Sequence, residues 1–481
     1  MIKMPFIEIP LEIEVLTPVH IGMGEDYVPT DYVIKNDKLF VVDRDKFTAH
    51  LMQFDQRWKE FGAVCRGSGA NALMEIKKII TREFEDTLSS YVVTHVGALH
   101  TTKEYPEIAR IIRTAFYNEP ILPGSTVKGA FMTAFVNSGI SRFYLDNYSN
   151  NLKHDIQHDM PNVIGQMISV SDFDVIGSLD CCGIKTAHYS HQKPAKPKQL
   201  GNLEYVIKNT KFVGKVRLTR LIGGYSSKYK EITGKDVDKF SNDFFEYLND
   251  FYAYDVKVKE TKELYYDGLN FDLPDKSPGT AFFKLGLHSG AYSRTLHPDQ
   301  EITVKNRSNR EKIQTTIWTI DNLPMAWCAI KAIDESSYRD YRKEVSIRRE
   351  NYEDQLHDSR RLASLSMEKV RARHEEEQRR VDEGKKLDLL KKQEAELEKK
   401  KLDDMSDFDR LIYQISHFDS SETNINIVMN EFNKIDAYKE NNKTNLAKAI
   451  KDYFCMVGKW AGKLSDKQQK KVDKIKSILQ E

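Results

Sequence analysis

Three stretches of the chain place glycines, histidines and basic residues where an extended run gives way to a turn. The first is Leu16-Thr17-Pro18-Val19-His20-Ile21-Gly22-Met23-Gly24-Glu25-Asp26-Tyr27. A strand ends at Pro18, and Gly22 and Gly24 allow a close backbone approach that side chains would block. The second is Pro120-Ile121-Leu122-Pro123-Gly124-Ser125-Thr126-Val127-Lys128-Gly129. Here a turn opens a helix with Lys128 one turn in. Unpaired first-turn amides and the helix dipole make such a start a natural anion site. It is not a Walker A loop, because Gly-x-x-x-x-Gly-Lys-[Ser/Thr] is absent, and an ordinary helix start remains the alternative. The third, Leu285-Gly286-Leu287-His288-Ser289-Gly290-Ala291-Tyr292-Ser293-Arg294, again runs from a strand into a glycine-bearing turn with basic neighbours. A plain surface turn explains it as well.

A basic strip, Lys185–Lys198, carries Tyr189, Lys193 and two histidines, with prolines that keep it extended. Lysines for phosphate and an aromatic face for a base suit single-stranded nucleic acid, and a solvated loop is the competing reading. Cys181, Cys182, His188 and His191 invite a zinc site, but adjacent cysteines lack the Cys-x₂₋₄-Cys spacing of common sites. Cys65, Cys328 and Cys455 read as small core residues. His-Glu-x-x-His is absent, and no Ser/His/Asp or Cys/His pattern stands out.

The elements that would hold these residues form an α+β pattern. Strand-like runs fall at 6–17, 32–42, 203–219 and 281–287, with late core strands around Ile317-Trp318 and Trp327. Helical patterns fall at 46–53, 72–88, 129–136 and 236–252. A turn at Asn36-Asp37 folds a hairpin, and Asp43 or Asp45 caps the helix after it. From Arg339 to Asp404 the composition changes to Arg, Lys, Glu, Asp, Gln and Leu. Its sparse apolar residues fit a solvated helix, a helical hairpin broken at Gly384, or a partner-binding coiled coil. Amphipathic helices follow at 408–415, 426–435, 446–460 and 467–479. The expected domains are 1–175, 176–338, a charged helical insertion at 339–404 and a helical unit at 405–481.

The chain has 481 residues, 73 Lys+Arg against 72 Asp+Glu, and five cysteines. Near-zero net charge means that any nucleic-acid surface is local. Five cysteines in this length and the lack of a basic-then-apolar start argue against a disulfide-stapled secreted protein. No apolar run reaches the roughly 18 residues of a membrane span. The expectation is a soluble cytoplasmic protein.

The three glycine-bearing blocks resemble motif blocks of the CRISPR-associated RAMP superfamily. Thr17–Gly24 with Asp31-Tyr32-Val33-Ile34 is similar to the type III-A (Csm) subunit that caps the crRNA 3′ end. Pro123–Gly129 resembles the family's Pro-Gly-Ser-Ser-Leu-Lys-Gly helix start, Leu203–Val206 with Phe212–Gly214 its central strand block, and Leu285–Gly290, more loosely, its C-terminal block. The resemblance covers most of residues 6–330 and stops before the charged run. It implies two ferredoxin-like (RRM-like) domains that hold crRNA within a multi-subunit effector, beside a backbone RAMP subunit and a small subunit. Target RNA is a further expected ligand; no cofactor, resident metal or membrane is expected. The expected RNA-binding residues are His20, Gly22, Gly24, Gly124, Ser125, Lys128, Lys185, Tyr189, Lys193, Gly286, His288, Ser289 and Arg294. In the related backbone subunit an Asp after the Gly-rich loop cuts target RNA with a divalent metal, and Asp31 occupies the corresponding place here. The favoured reading is binding without catalysis. A metal-dependent endoribonuclease using Asp31, or a mainly scaffolding subunit, are the alternatives.

Overall fold

The computed structural model describes residues 6–100, 106–138, 165–190, 198–219, 240–257, 271–275, 278–294, 303–305, 312–314, 317–462 and 464–481, with 227, 230, 236 and 260 besides. Lys193 and His191 lie outside the described residues. The chain divides into two compact units, 1–370 and 371–481.

The first unit begins with strand Phe6–Val15, and its sequence dictates its two faces. With side chains alternating, Ile9, Leu11, Ile13 and Val15 point to the core, and Leu11, Ile13 and Val15 are fully buried. Glu8 and Glu12 point the other way and meet cations across the sheet. Arg217 bonds Glu8 at 2.6 Å, and Lys331 and Lys211 approach Glu12 at 3.0 and 3.2 Å. This strand pairs antiparallel with both Lys211–Thr219 and Trp327–Ala332, the centre of a seven-stranded sheet. A second seven-stranded sheet contains Gly22–Tyr27, Ile108–Ile111, Cys182–Ser190, Lys198–Val206 and Ile317–Ile320. Strands from both sides of residue 176 enter each sheet, because antiparallel partners are recruited from distant parts of the chain. The α+β class expected from the sequence is the class observed. Helices Gly124–Asn137 and Phe240–Leu248 cover the first sheet, with Phe131, Phe135, Phe244 and Phe283 packed ring to ring.

The hairpin turns at Asn36 and Asp37, both with left-handed φ of 52° and 57°, as a two-residue primed turn requires. Asp43 is the residue that caps the following helix, accepting from the amides of Asp45 and Lys46 at 3.1 and 3.0 Å. One helix, Asp55–Cys65, falls where no helical pattern was read; its apolar residues are partly exposed and its periodicity is correspondingly weak.

The charged run forms one continuous helix, Glu335–Asp403, with Gly384 inside it. No break forms at Gly384, because one glycine costs only about 1 kcal/mol in a helix whose neighbours propagate it. The early turns of this helix are held by Tyr338 and Tyr341, by buried Val345, and by two guanidinium groups. Arg348 donates to Glu119 at 2.6 Å, and Arg349 to Glu119 at 2.8 Å and Asp174 at 2.6 Å. In the second unit four helices, Asp407–His417, Glu422–Asn433, Glu440–Met456 and Asp466–Leu479, enclose a core around Val428, Ile435, Leu446, Ile450 and Ile475. Among the described residues no helix is long and apolar enough to cross a membrane.

Candidate nucleic-acid interface

The segment after the first strand leaves the first sheet and joins the second. Leu16 and Thr17 donate to the Trp327 carbonyl, and the Thr17 hydroxyl accepts from the Trp327 amide at 2.9 Å. Pro18 has no amide to donate, but its carbonyl accepts from Ala326. Val19 then bridges to Val206 in the second sheet, and the Ile21 carbonyl accepts from Ile112. His20 sits in this crossover, only 3% exposed. Its Nδ1 lies 2.7 Å from the Glu204 carbonyl, so Nδ1 carries the proton and donates.

The third sequence block closes over the first. The Leu287 amide donates to the His20 carbonyl at 3.0 Å. Gly286, at φ +101°, lies so close that a Cβ there would collide with that carbonyl. Only glycine satisfies both the dihedral and the approach. Arg294 fastens the loop from outside, donating to the carbonyls of Gly286 and Leu287 at 2.6 and 2.7 Å and to the Ser289 hydroxyl at 3.2 Å. Ser289 is buried, and its carbonyl accepts from the Ser293 hydroxyl.

Rings continue from this junction. His20 and His288 have centroids 5.7 Å apart, His288 and Trp318 5.0 Å, and Trp318 and Tyr189 5.2 Å. Tyr189 and Trp318 are direct partners on neighbouring strands, and both are half-buried. Burial, with smaller contributions from His20 and Arg294, pulls the His288 imidazole down to about 4. Burial also lowers His20, against the opposing pull of Glu204. Both rings are neutral at pH 7. Lys185, further along the Tyr189 strand, donates to Asp321 at 2.5 Å.

Beneath the loops lies a buried polar network centred on Glu204, which is fully buried. Its carboxylate accepts from Tyr27 at 3.0 Å, from the Ile111 amide at 3.1 Å, and from Arg113. Tyr27 also shares a hydrogen bond with Tyr91 at 2.8 Å, and the Arg110 guanidinium lies over the Tyr27 ring. Burial and the Glu204 charge raise the Tyr27 phenol, so it remains a donor. A buried carboxylate with three donors fixes its surroundings, and its own carbonyl fixes His20.

Helix Gly124–Asn137 departs from expectation. The Gly124 amide, expected to be open, donates to the Asp172 carboxylate at 2.7 Å. A Cβ on Gly124 would collide with the Val170 carbonyl. The helix start already holds an anion from its own chain, which satisfies the dipole and repels a phosphate. Ser125 is exposed beside it, and Lys128 donates to the Gly165 carbonyl at 2.7 Å.

Asp31 occupies a short 3₁₀ turn, Pro29–Asp31. Its carboxylate takes the Val28 amide at 3.2 Å and Arg44 at 2.8 Å. Cys181 and Cys182 are buried with sulfurs 3.9 Å apart. Among the described residues no three His, Cys, Asp or Glu side chains come together as a metal site.

The structure therefore gathers His20, Gly286, His288, Ser289 and Arg294 into one junction, extends it to Tyr189 through Trp318, and places Gly22 and Gly24 on the strand leaving it. Gly124, Ser125 and Lys128 stand on a separate helix. Trp318, Glu204, Arg113 and Asp172 were not anticipated. The detectable signal was Glu204 itself, a lone acid flanked by Leu203 and Tyr205 in a strand pattern.

The sequence profile of the RAMP superfamily matches residues 12–411. The chain belongs to the RAMP superfamily. It is 23% identical over 374 residues to the CRISPR system Cms protein Csm5 of Methanocaldococcus jannaschii, covering 70% of this chain and 84% of that protein. It is 27% identical over 135 residues to the Csm5 of Streptococcus thermophilus, covering 27% of this chain and only 38% of that protein. The fold resembles a chain in the cryo-EM structure of a type III-A Csm–crRNA–target RNA ternary complex, with a TM-score of 0.51 and 16% identity, over 68% of this chain and all of that one. All three glycine-bearing blocks lie within the superfamily match.

Proposed function

We propose that this RAMP protein is a crRNA-binding subunit of a type III-A-like CRISPR effector complex in the cytoplasm. It caps the crRNA 3′ region and supports crRNA maturation and antiviral defence. Its partners are crRNA, the backbone RAMP subunit and the small subunit, with target RNA as a further ligand. The observation that carries this reading is the similarity to a Csm5 over 84% of that protein's length. The geometry supports it: two glycine-bearing loops are locked together beside half-buried rings and a lysine. Main-chain groups near Gly22 and Gly24 approach the sugar–phosphate strand, with Lys128, Lys185 and Lys193 supplying charge and Tyr189 a stacking face, while Gly286 and Arg294 hold the loop beside them. His20, His288 and Ser289 shape the junction from within. Such contacts position RNA without reading its sequence.

A binding part is favoured over a catalytic one. Arg44 and the Val28 amide both occupy the Asp31 carboxylate, so a metal would have to displace an ion pair. The test is purification of the tagged chain from its host and sequencing of bound RNA. Short RNAs sharing a common 5′ tag are expected, and their absence would remove the assignment. Incubation with labelled target RNA and Mg²⁺ adds the second arm: cleavage lost in Asp31→Ala would replace binding with catalysis.

A further inference from the structure

An apolar groove in the first unit lies apart from these loops, along the early turns of the long helix. It has a volume of about 480 Å³ and is floored by Tyr117, Leu179, Ile347 and Tyr352. Phe116 extends the floor, its ring 5.0 Å from Tyr117 and 6.1 Å from Tyr352. Phe116, Leu179 and Ile347 are 44%, 42% and 47% exposed, so three large apolar side chains face water together. Clustered exposure of this kind marks an interaction surface rather than a scatter of single residues.

The charges around the groove specify what fits. Three guanidiniums share two acids beneath it: Arg348 and Arg349 both bond Glu119, and Arg349 and Arg342 both bond Asp174. Its acids face outward. Glu344 accepts the Gly177 amide at 2.8 Å and pairs with Arg348 at 3.9 Å. Glu353 accepts the Tyr117 hydroxyl at 2.5 Å and forms no ion pair among the described residues. Three guanidiniums thus meet four carboxylates, Glu119, Asp174, Glu344 and Glu353, so among these groups one negative charge is left beside the apolar floor, which disfavours a phosphate backbone and favours a cation.

We propose that this groove docks a segment of a partner protein that carries one or two large apolar side chains between lysines or arginines. The apolar anchor fills the floor between Leu179, Ile347 and Tyr352, and the flanking cations meet Glu344 and Glu353. None of the residues lining this surface belongs to the RNA loops, and the proposal does not depend on the reading given to them.

The test uses the full-length chain and three fluorescein-labelled 14-residue peptides read by anisotropy. One has a Trp-Leu centre with Lys/Arg flanks, one has the same flanks with a Ser-Ser centre, and one has the Trp-Leu centre with Glu flanks. Binding of the first alone is expected, weakened at least tenfold by Ile347→Asp, as for an anchor contact at an interface centre. Leu179→Asp is the second variant, on a different element, should helix packing suffer in the first. Glu344→Gln with Glu353→Gln keeps one acceptor oxygen on each side chain and removes the charge, and is expected to weaken binding several-fold. Equal binding of the Trp-Leu and Ser-Ser basic peptides would overturn the proposal, as would no binding of the first peptide. Displacement of the first peptide by single-stranded RNA would make the groove a nucleic-acid surface. Self-association in sedimentation velocity, lost in Ile347→Asp, would make it a contact between copies of this chain. Either result overturns the proposal.

Discussion

Replacing Gly286 by alanine tests the junction at its tightest point. The residue adopts φ +101°, and its backbone abuts the His20 carbonyl that accepts the Leu287 amide at 3.0 Å. Alanine at such a dihedral costs about 1–3 kcal/mol in backbone strain. The colliding methyl adds about 1–3 kcal/mol, the usual cost of forcing an atom into filled space. Gly290 supplies the control. It has a similar φ of +88°, but a Cβ there would meet its nearest atom, Glu260 Oε1, at 3.4 Å, which is ordinary contact. Gly290→Ala is therefore expected to cost strain alone, and Gly286→Ala about 1–3 kcal/mol more. Urea unfolding followed by tryptophan fluorescence reads the difference. Only Gly286→Ala should also weaken RNA binding, because it alone pries the loop off His20. Equal losses in the two variants, or a Gly286→Ala protein as stable as the parent, would refute the claim that the two loops are locked by this contact.

Glu204→Gln leaves Arg113 buried without its anion, and is expected to destabilise by about 3–5 kcal/mol in the same unfolding assay, with part recovered when Arg113→Leu is added. His288→Phe tests the neutral imidazole. The native ring titrates near 4 against 6.5 in the unfolded chain, so the unfolded state binds the extra proton between those values and stability falls as pH drops from 6.5 to 4. At 1.36 kcal/mol per unit the loss is at most about 3 kcal/mol, and roughly 1–2 with solvent screening at the open side of the ring. The variant is expected to show a shallower acid slope in thermal melts between pH 7 and 4, and an unchanged slope would contradict the burial argument. Asp172→Ala removes the acceptor of the Gly124 amide. About 1 kcal/mol of stability should be lost, and RNA affinity should rise as the helix start is freed for phosphate. Unaltered affinity would take that helix out of the interface.

What the sequence made legible follows the reach of each interaction. The β-branched and aromatic run at 6–17 marks a strand, and the Asn36-Asp37 turn marks the hairpin within 32–42, because both are set by neighbours in the chain. The sheet partners of Phe6–Val15 were not legible. They begin at Lys211 and Trp327, and nothing local in any of the three segments names the others. The glycine-bearing blocks were found as separate signals, but their union at His20 depends on Pro18 carrying the chain from one sheet to the other. The Gly124 amide is not open, for a related reason. Its anion, Asp172, arrives from 48 residues away.

The same distinction explains how the residues of the junction divide their work. A residue that binds RNA must keep a donor or a face open, whereas one that shapes the site must spend its donors internally. His20 spends Nδ1 on Glu204, Arg294 spends three bonds on its own loop, and Gly286 has no side chain to offer. These residues hold geometry. Tyr189 and Lys185 sit outside the locked centre, on a strand where both are half-buried, and Lys185 gives one of its three ammonium donors to the exposed Asp321 carboxylate. Substitutions in the two groups should therefore separate. Lys185→Ala should lower the salt dependence of RNA binding by about one unit or less while leaving the unfolding midpoint in place. Changes at Gly286 or His20 should move stability and affinity together. A Lys185→Ala protein with an unaltered salt slope would place the phosphate path elsewhere, and would leave the locked loops as scaffold alone.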